Sequence, residues 1–445
     1  MEWISQIPVF GGVVSTLLAF IAVLGVVVFV HEYGHYIIGR MTGIGAEVFS
    51  MGFGPVIWSR IDKRGMKWQI AAVPLGGYVK FIGDRDPASA TVSEELAGMD
   101  EAERARSFPA AKLWKRAATV LAGPVANFLL AFVIFTGLVF VQGVATERPT
   151  VGEILDFPDK GYDLQTGDVV LALNGQPVAD YAEIYDVTVA MDPPGDMVVD
   201  VLRDGQELRV RAPYLFPAAV YGVEPLSAAD EAGLKKGDII LAADGKDLVT
   251  FMDLKKIVEA SRDKEIVLTV WRDGEAIDLP ITPKLREYPD GEGGFEERVM
   301  IGVSGSSAFL PATETPSPLK ALELGARQVY GVIATSLNAI KHIFIGDLSP
   351  TNLQGPIGIA QMSQATANQG VISFLSFIAV ISVGIGMLNL FPIPMLDGGH
   401  LVFYAFEAIR GKPLANKTIE RAVSIGLAMV LLLMVFVTYN DILKF

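Results

Sequence analysis

The sequence predicts a multi-pass α-helical membrane protein with four transmembrane helices, a membrane-associated β-hairpin and a duplicated soluble α+β region. Three observations predict it. Hydrophobic residues make up 51% of the 445 positions and the mean hydropathy is +0.41, which favours an integral membrane chain. Apolar runs long enough to cross a bilayer occur four times. One long interior stretch is acidic and repeats itself: residues 143–316 hold 33 Asp and Glu against 16 Lys and Arg, while the whole chain carries −14. So acidic a soluble region repels phosphate and excludes nucleic acid as a partner. Cysteine is absent, so there are no disulfides, and any metal must be held by His, Asp or Glu. The only histidines are His31, His35, His342 and His400.

The first span covers residues 1–41. No charge occurs from Trp3 to Val30, the run is too long for a signal-peptide core and Lys and Arg are missing from its start, so it reads as a retained helix. It ends in His31-Glu32-Tyr33-Gly34-His35, an H-E-x-x-H motif. On a helix, residues four apart share a face, so both imidazoles can reach one metal, with Glu32 beside it as a candidate general base. Residues 42–86 are rich in glycine. Val56–Ile61 and Trp68–Val73 read as two strands joined by a turn at Asp62–Gly65. This hairpin, with Gly52, Phe53 and Gly54 on its first arm, is either a plain surface hairpin or a strand edge that takes an extended substrate. Residues 87–116 form a polar cytoplasmic segment, flexible or helical. The second span, residues 117–143, carries Gly123-Pro124-Val125-Ala126-Asn127. Asn127 is costly in lipid, so it faces protein, as a helix-packing contact or a support to the site.

Within the soluble region Gly167-Asp168 recurs as Gly237-Asp238, Asn174-Gly175 as Asp244-Gly245, and Arg203-Asp204-Gly205 as Arg272-Asp273-Gly274. Both copies, residues 144–213 and 214–308, resemble PDZ domains. The second does so through Ser227 to Ile240, whereas the first is degenerate at Asp159–Leu164. PDZ folds take extended peptides by strand addition; a spacer or size filter is the other reading. Residues 316–346 have helical apolar spacing and read as an amphipathic helix on the membrane surface, with His342 a surface histidine near its end. A polar connection covers 347–370.

The third span, residues 371–400, runs into Asn389-Leu390-Phe391-Pro392-Ile393-Pro394-Met395-Leu396-Asp397-Gly398-Gly399-His400. The prolines cannot continue a helix, so the backbone unwinds there. Asp397 is the only charged residue between Asp347 and Glu407, and a lone carboxylate at a broken membrane helix has a metal as an obvious partner. His400 either supports that site or starts a helix. A cytoplasmic loop at 401–421 precedes the fourth span, 422–440. Lys112, Lys115 and Arg116 before span two, and Arg410, Lys412, Lys417 and Arg421 before span four, place both loops in the cytoplasm. His31, His35 and Asp397 then share one depth at the cytoplasmic ends of spans one and three, and the acidic repeat lies outside.

H-E-x-x-H, G-P-x-x-N at Gly123–Asn127, tandem PDZ-like repeats and N-x-x-P-x-P-x-L-D-G-G at Asn389–Gly399, in this order, resemble the site-2 protease family of intramembrane zinc metalloproteases. The resemblance covers essentially the whole chain. It implies Zn²⁺ held by His31, His35 and Asp397, Glu32 as general base, and Asn389 hydrogen-bonded to substrate backbone. It also implies a multi-pass protein of the bacterial inner membrane with two extracytoplasmic (periplasmic) PDZ domains. The implied substrate is a single-pass membrane protein already shortened by an earlier cut, of the anti-sigma factor type in a stress response, or a signal-peptide remnant.

Overall fold

The computed structural model describes residues 10–84, 99–159, 161–192, 195–291 and 293–443, and the chain divides into two compact units. One holds the described residues up to Leu138, Pro318–Lys341 and those from Pro350 onward; the other holds Val139–Ser317 and His342–Ser349.

In the first unit α1 (Phe10–Met41) runs without interruption through the H-E-x-x-H motif, because no proline or capping residue stops its apolar sequence. Strands β1 (Ala46–Ile61) and β2 (Lys67–Phe81) follow, longer than the apolar stretches that predict them. Gly52, Gly54 and Gly76 lie inside them at positive φ, where glycine relieves the strain of a bend. The bent arms meet twice: Ile61↔Lys67 to Phe53↔Val73 and Met51↔Gly77 to Val48↔Lys80 run antiparallel, and Val48–Met51 also lie beside Lys67–Ile70. Phe49, Met66, Val79 and Phe81 pack with Tyr36 of α1, which seats the hairpin on that helix. The expected cytoplasmic segment lies partly outside the described residues; its described part holds α2 (Glu101–Arg106).

α3 (Leu113–Gln142) starts four residues before the expected second span and keeps Pro124 inside it. α1 and α3 touch at Gly34, where a Cβ would meet Ala122 O at 2.5 Å. In the second unit β3 (Val144–Ala145) and β4 (Val151–Ile154) precede the first repeat. Its strands β5 (Val169–Leu173), β6 (Gln176–Pro177), β7 (Met197–Arg203) and β8 (Gln206–Ala212) form a sheet in the order β6-β5-β7-β8, with α4 (Tyr181–Val189) between β6 and β7 in the chain. The second repeat comprises β9 (Ala219–Val223), α5 (Ala228–Glu231), β10 (Ile239–Ala243), β11 (Lys246–Asp247), α6 (Phe251–Ala260), β12 (Ile266–Arg272) and β13 (Glu275–Ile281). A hairpin of β14 (Lys284–Pro289) and β15 (Phe295–Met300) follows, and β16 (Val303–Ser306) returns to pair with β9.

The repeated motifs do the same work in each copy. Arg203 donates twice to the buried Asp168, and Arg272 twice to Asp238. Asn174 accepts from Val198 N–H as Asp244 accepts from Val267 N–H. Even the degenerate stretch keeps one contact: the Asp163 carbonyl takes an Arg203 N–H as the Gly233 carbonyl takes one from Arg272. The boundaries at 214 and 308 do not hold for packing. Tyr214, Leu215, Ala308 and Phe309 are buried in the core of the first repeat, and β17 (Phe309–Pro311) pairs with β4 as β18 (Thr313–Glu314) pairs with β3. The second repeat is thus inserted between strands of the first. His342 is not a surface histidine: it is buried, its Nδ1 lies 3.0 Å from Asp347 Oδ2 and its ring meets Phe295 edge-on.

Back in the first unit, α7 (Pro318–Ile345) shows Lys320, Glu323 and Arg327 on an exposed, ion-paired face. Its Val329, Val332 and Ile333 pack on Ala131 and Phe135 of α3, so it has a protein partner as well as the surface position expected of it. The polar connection at 347–370 contains a helix, α8 (Pro356–Asn368), with Pro356 on its first turn. Its N-terminal N–H groups at Gly355, Ile357 and Gly358 donate to the Asp441 carboxylate at 2.9–3.1 Å. α9 (Val371–Asn389) packs between α1 and α3 through Ile378, Ala379 and Val383. α10 (Asp397–Arg410) replaces most of the loop expected at 401–421, and α11 (Asn416–Leu443) ends the chain's described part. Four described helices, Gly12–Met41, Leu113–Gln142, Val371–Asn389 and Asn416–Leu443, are long and apolar enough to cross a membrane. Leu17, Leu129, Leu432 and Val435 are exposed on them, as lipid-facing residues are.

Asp441 is 3% exposed and caps three N–H groups at once. Asp441→Ala is expected to cost about 1–2 kcal/mol. Faster proteolysis within 350–370 and a lower unfolding temperature are the readouts; an unchanged midpoint would contradict the assignment.

Candidate metal centre

The continuity of α1 through its motif places His31 and His35 on one face, with ring centroids 4.7 Å apart and Nε2 atoms 3.2 Å apart. Asp397 arrives from the broken end of α9. Pro392 and Pro394 stop that helix, the chain turns through Leu390–Leu396, and α10 begins at Asp397. Gly398 and Gly399 permit the turn, since a Cβ on either would run into the carbonyls of Leu390, Phe391 or Ile393. Asp397 Oδ2 then lies 3.2 Å from His31 Nε2 and 3.5 Å from His35 Nε2. Ligand atoms of the three residues fall within 4.8 Å of one another.

The far nitrogens set the tautomers. His35 Nδ1 is 2.9 Å from the Thr119 carbonyl, which can only accept, so Nδ1 carries the proton and Nε2 turns its lone pair to the cluster. His31 Nδ1 is 3.3 Å from the amide of Asn127, whose Oδ1 is buried without a partner. Turning that amide over lets Oδ1 accept from His31 Nδ1–H, which satisfies the orphan and frees His31 Nε2 in the same way. Asp397 Oδ2 is also buried without a hydrogen-bond donor. Two lone pairs and a carboxylate oxygen aimed at one point suit a divalent cation with nitrogen and oxygen donors, and the residues fit zinc. Gly123 makes room for the two imidazoles: a Cβ there would overlap His35 Nε2. Pro124, next to it, breaks the helix ladder beside the carbonyl that His35 uses.

Glu32, next to His31 on α1, lines the same space. The Val79 N–H of β2 bonds its carboxylate, and Gly77 brings the strand close, since a Cβ there would meet Glu32 Cγ at 3.1 Å. A cavity of about 250 Å³ joins Glu32, both imidazoles, Asp397, Asn389 and Tyr78. Asn389 lines it while its Nδ2 donates to the Ile385 carbonyl, and His400 lines it one turn after Asp397. Gly52, Phe53 and Gly54 are outside the wall. Of the three, Phe53 stacks on the ring of Tyr78, which does line the cavity, at 6.1 Å, and Gln69 donates to the Tyr78 hydroxyl and to Ser50.

Sequence reasoning missed the Thr119 carbonyl, the Val79 N–H and three further residues that line the cavity, Asp84, Arg116 and Tyr404. Two of these are backbone groups, which no residue type announces. Gly123, the first residue of G-P-x-x-N, falls four residues before Asn127 on the same helix face and so pointed to the side of α3 that meets the imidazoles.

Burial, and next the Glu47 carboxylate, push the Asp84 carboxyl up to about 8 against the pull of Lys80. The folded chain therefore binds more protons at Asp84 than the unfolded chain from the ordinary carboxylate range up to about pH 8, and stability falls as pH rises through that window. Asp84→Asn is expected to flatten the fall between about pH 5 and about pH 8 in thermal unfolding. Parallel profiles for the two chains would exclude this role.

Comparison with known sequences places this geometry in a family. The profile of Peptidase family M50 matches residues 19–433. A Rhizobium meliloti protein provisionally named a zinc metalloprotease is 39% identical, covering 96% of this chain and 96% of its own. A similarly named Agrobacterium fabrum protein is 38% identical over 97% of each. The regulator of sigma-E protease RseP of Salmonella typhimurium is 33% identical over 96% of this chain and 98% of its own. With four apolar helices and a converging His, His and Asp set, the chain belongs to Peptidase family M50, the site-2 protease family of zinc-dependent membrane metalloproteases.

Proposed function

We propose that the protein hydrolyses a peptide bond in or near the transmembrane segment of a single-pass membrane protein, at the His31, His35 and Asp397 cluster. The observation that carries this reading is the meeting of those three ligand atoms within 4.8 Å in a cavity that Glu32 also lines. When bound there, Zn²⁺ acidifies water and polarises the scissile carbonyl. His31 and His35 supply neutral nitrogens because Asn127 and Thr119 hold the protons on the opposite ring atoms. Glu32 takes a proton from the attacking water as the oxygen bonds to the carbonyl carbon, and passes it to the leaving nitrogen as the carbon–nitrogen bond breaks. Asn389 hydrogen-bonds the substrate backbone beside the cut.

A helical substrate hides its amides in its own hydrogen bonds and must be unwound before attack. The stretch Gly77–Val79 lines the cavity and supports a role for β2 as an edge that pairs with the unwound chain. The two repeats of the second unit act as PDZ domains on the periplasmic side of the inner membrane, as a size filter or a sensor of an earlier cut, while the metal cluster sits toward the cytoplasm. The relative named regulator of sigma-E protease supports an anti-sigma factor as substrate, with signal-peptide remnants as a second class.

Glu32→Gln is expected to lower cleavage of a membrane reporter about 10²–10⁴-fold while zinc stays bound. Asp397→Ala is expected to lose both zinc and activity. Cleavage by Glu32→Gln at the unchanged rate, or full zinc content in Asp397→Ala, would refute the reading. The edge is tested separately. Successive strand residues point their N–H groups to opposite sides, so proline at Gly77 or at Tyr78 removes an outward donor. One of the two is expected to abolish cleavage with zinc content unchanged; normal cleavage by both would remove β2 from substrate binding.

A further inference from the structure

Arg116 lies on the first turn of α3 and lines the cavity. Its Nη2 donates to Glu407 Oε1 at 2.6 Å, its Nε donates to the Ala111 carbonyl at 3.2 Å, and its guanidinium covers the Tyr404 ring at 5.0 Å. The two charged side chains are only 15% and 17% exposed, so this is a largely desolvated pair and not a surface contact.

The pair joins two matching helix faces. Arg116, Thr119, Gly123 and Asn127 follow one another at helical spacing on α3, and the last three adjoin the imidazoles. Asp397, His400, Tyr404 and Glu407 follow at the same spacing on α10, and the first meets the imidazoles. Beyond its opening Asp-Gly-Gly turn, α10 buries a single side chain, Tyr404, and that ring lies beneath Arg116. Asp397 therefore stands at one end of a helix whose one fully buried side chain lies under Arg116, with the Arg116–Glu407 pair about 15 Å along the axis.

We infer that Arg116 is a positioning residue for the metal centre: through Glu407 and Tyr404 it holds α10 against α3, and so holds Asp397 at the distance where it meets His31 and His35. This rests on the metal-binding reading above. The contacts of Arg116 go to Ala111, Tyr404 and Glu407 and to none of the three ligands, so a positioning role is read in how tightly zinc is kept and in turnover at unchanged KM.

The test uses the full chain in detergent micelles, with zinc affinity measured by competition against a chelator and with kcat and KM measured on a membrane reporter. Arg116→Met and Glu407→Gln are each expected to weaken zinc binding about 10-fold or more and to lower kcat at unchanged KM. The double variant is expected to be no worse than the poorer single, because both changes break one contact. Glu407→Gln is nearly isosteric and decides by itself if Arg116→Met does not accumulate. Unchanged zinc affinity in Glu407→Gln, or losses that multiply in the double variant, would overturn the inference. Asp397→Ala separates the two levels: if it loses zinc while Glu407→Gln keeps it, only the role of Arg116 falls, whereas if Asp397→Ala keeps zinc, the metal-binding reading falls.

Discussion

Two imidazoles and a carboxylate within hydrogen-bonding reach of one another, inside a bundle of apolar helices, are the constraint on which the rest of the structure depends. Polar groups in such surroundings are costly unless each has a partner. α3 supplies the partners. Its Thr119 carbonyl and Asn127 amide take the outer ring nitrogens, and Gly123 leaves the inner side open. The approach is close because Gly34 of α1 lies directly against Ala122 of α3. Packing and ligand orientation are the same interaction seen from two sides.

The hairpin extends this arrangement. It is anchored on α1 through Tyr36 and Phe49, and its second arm brings a backbone N–H to Glu32. The carboxylate is thereby aimed into the cavity instead of along the helix. The buried chain of Gln69, Ser50 and Tyr78 hydrogen bonds stiffens the strand at that point. A rigid, partly polar edge beside that carboxylate is what the proposed cleavage asks for, since a helical substrate would first have to be drawn out of its own hydrogen bonds.

The second unit shows duplication followed by interlocking. Each copy repeats one buried Arg–Asp fork and one turn in which an Asn or Asp side chain accepts from the neighbouring strand. The chain then returns from the second copy to complete the core of the first with Ala308 and Phe309. The first copy is therefore discontinuous in the chain, whereas the second runs unbroken from β9 to β16 with a core of its own.

The sequence by itself determined the parts that rest on local periodicity and charge. Helix spacing put His31 and His35 on one face, the prolines at 392 and 394 marked the break that presents Asp397, and the repeated Gly-Asp and Arg-Asp-Gly pairs disclosed the duplication. It misread residues 350–370 as a connection, because helix α8 is polar and takes its cap from Asp441, over 80 residues away. It misread His342 for the same kind of reason, since Phe295 buries it from a strand 47 positions earlier. Only the tertiary structure decided which groups meet His35 and Glu32, because a backbone carbonyl at Thr119 and a backbone N–H at Val79 have no signature in residue type. It alone also decided that Arg116, legible in the sequence as a charge that orients a span, reaches across to Glu407. Periodicity orders residues along one helix; which helix lies opposite depends on packing between segments that the chain brings together from nearly 300 positions apart.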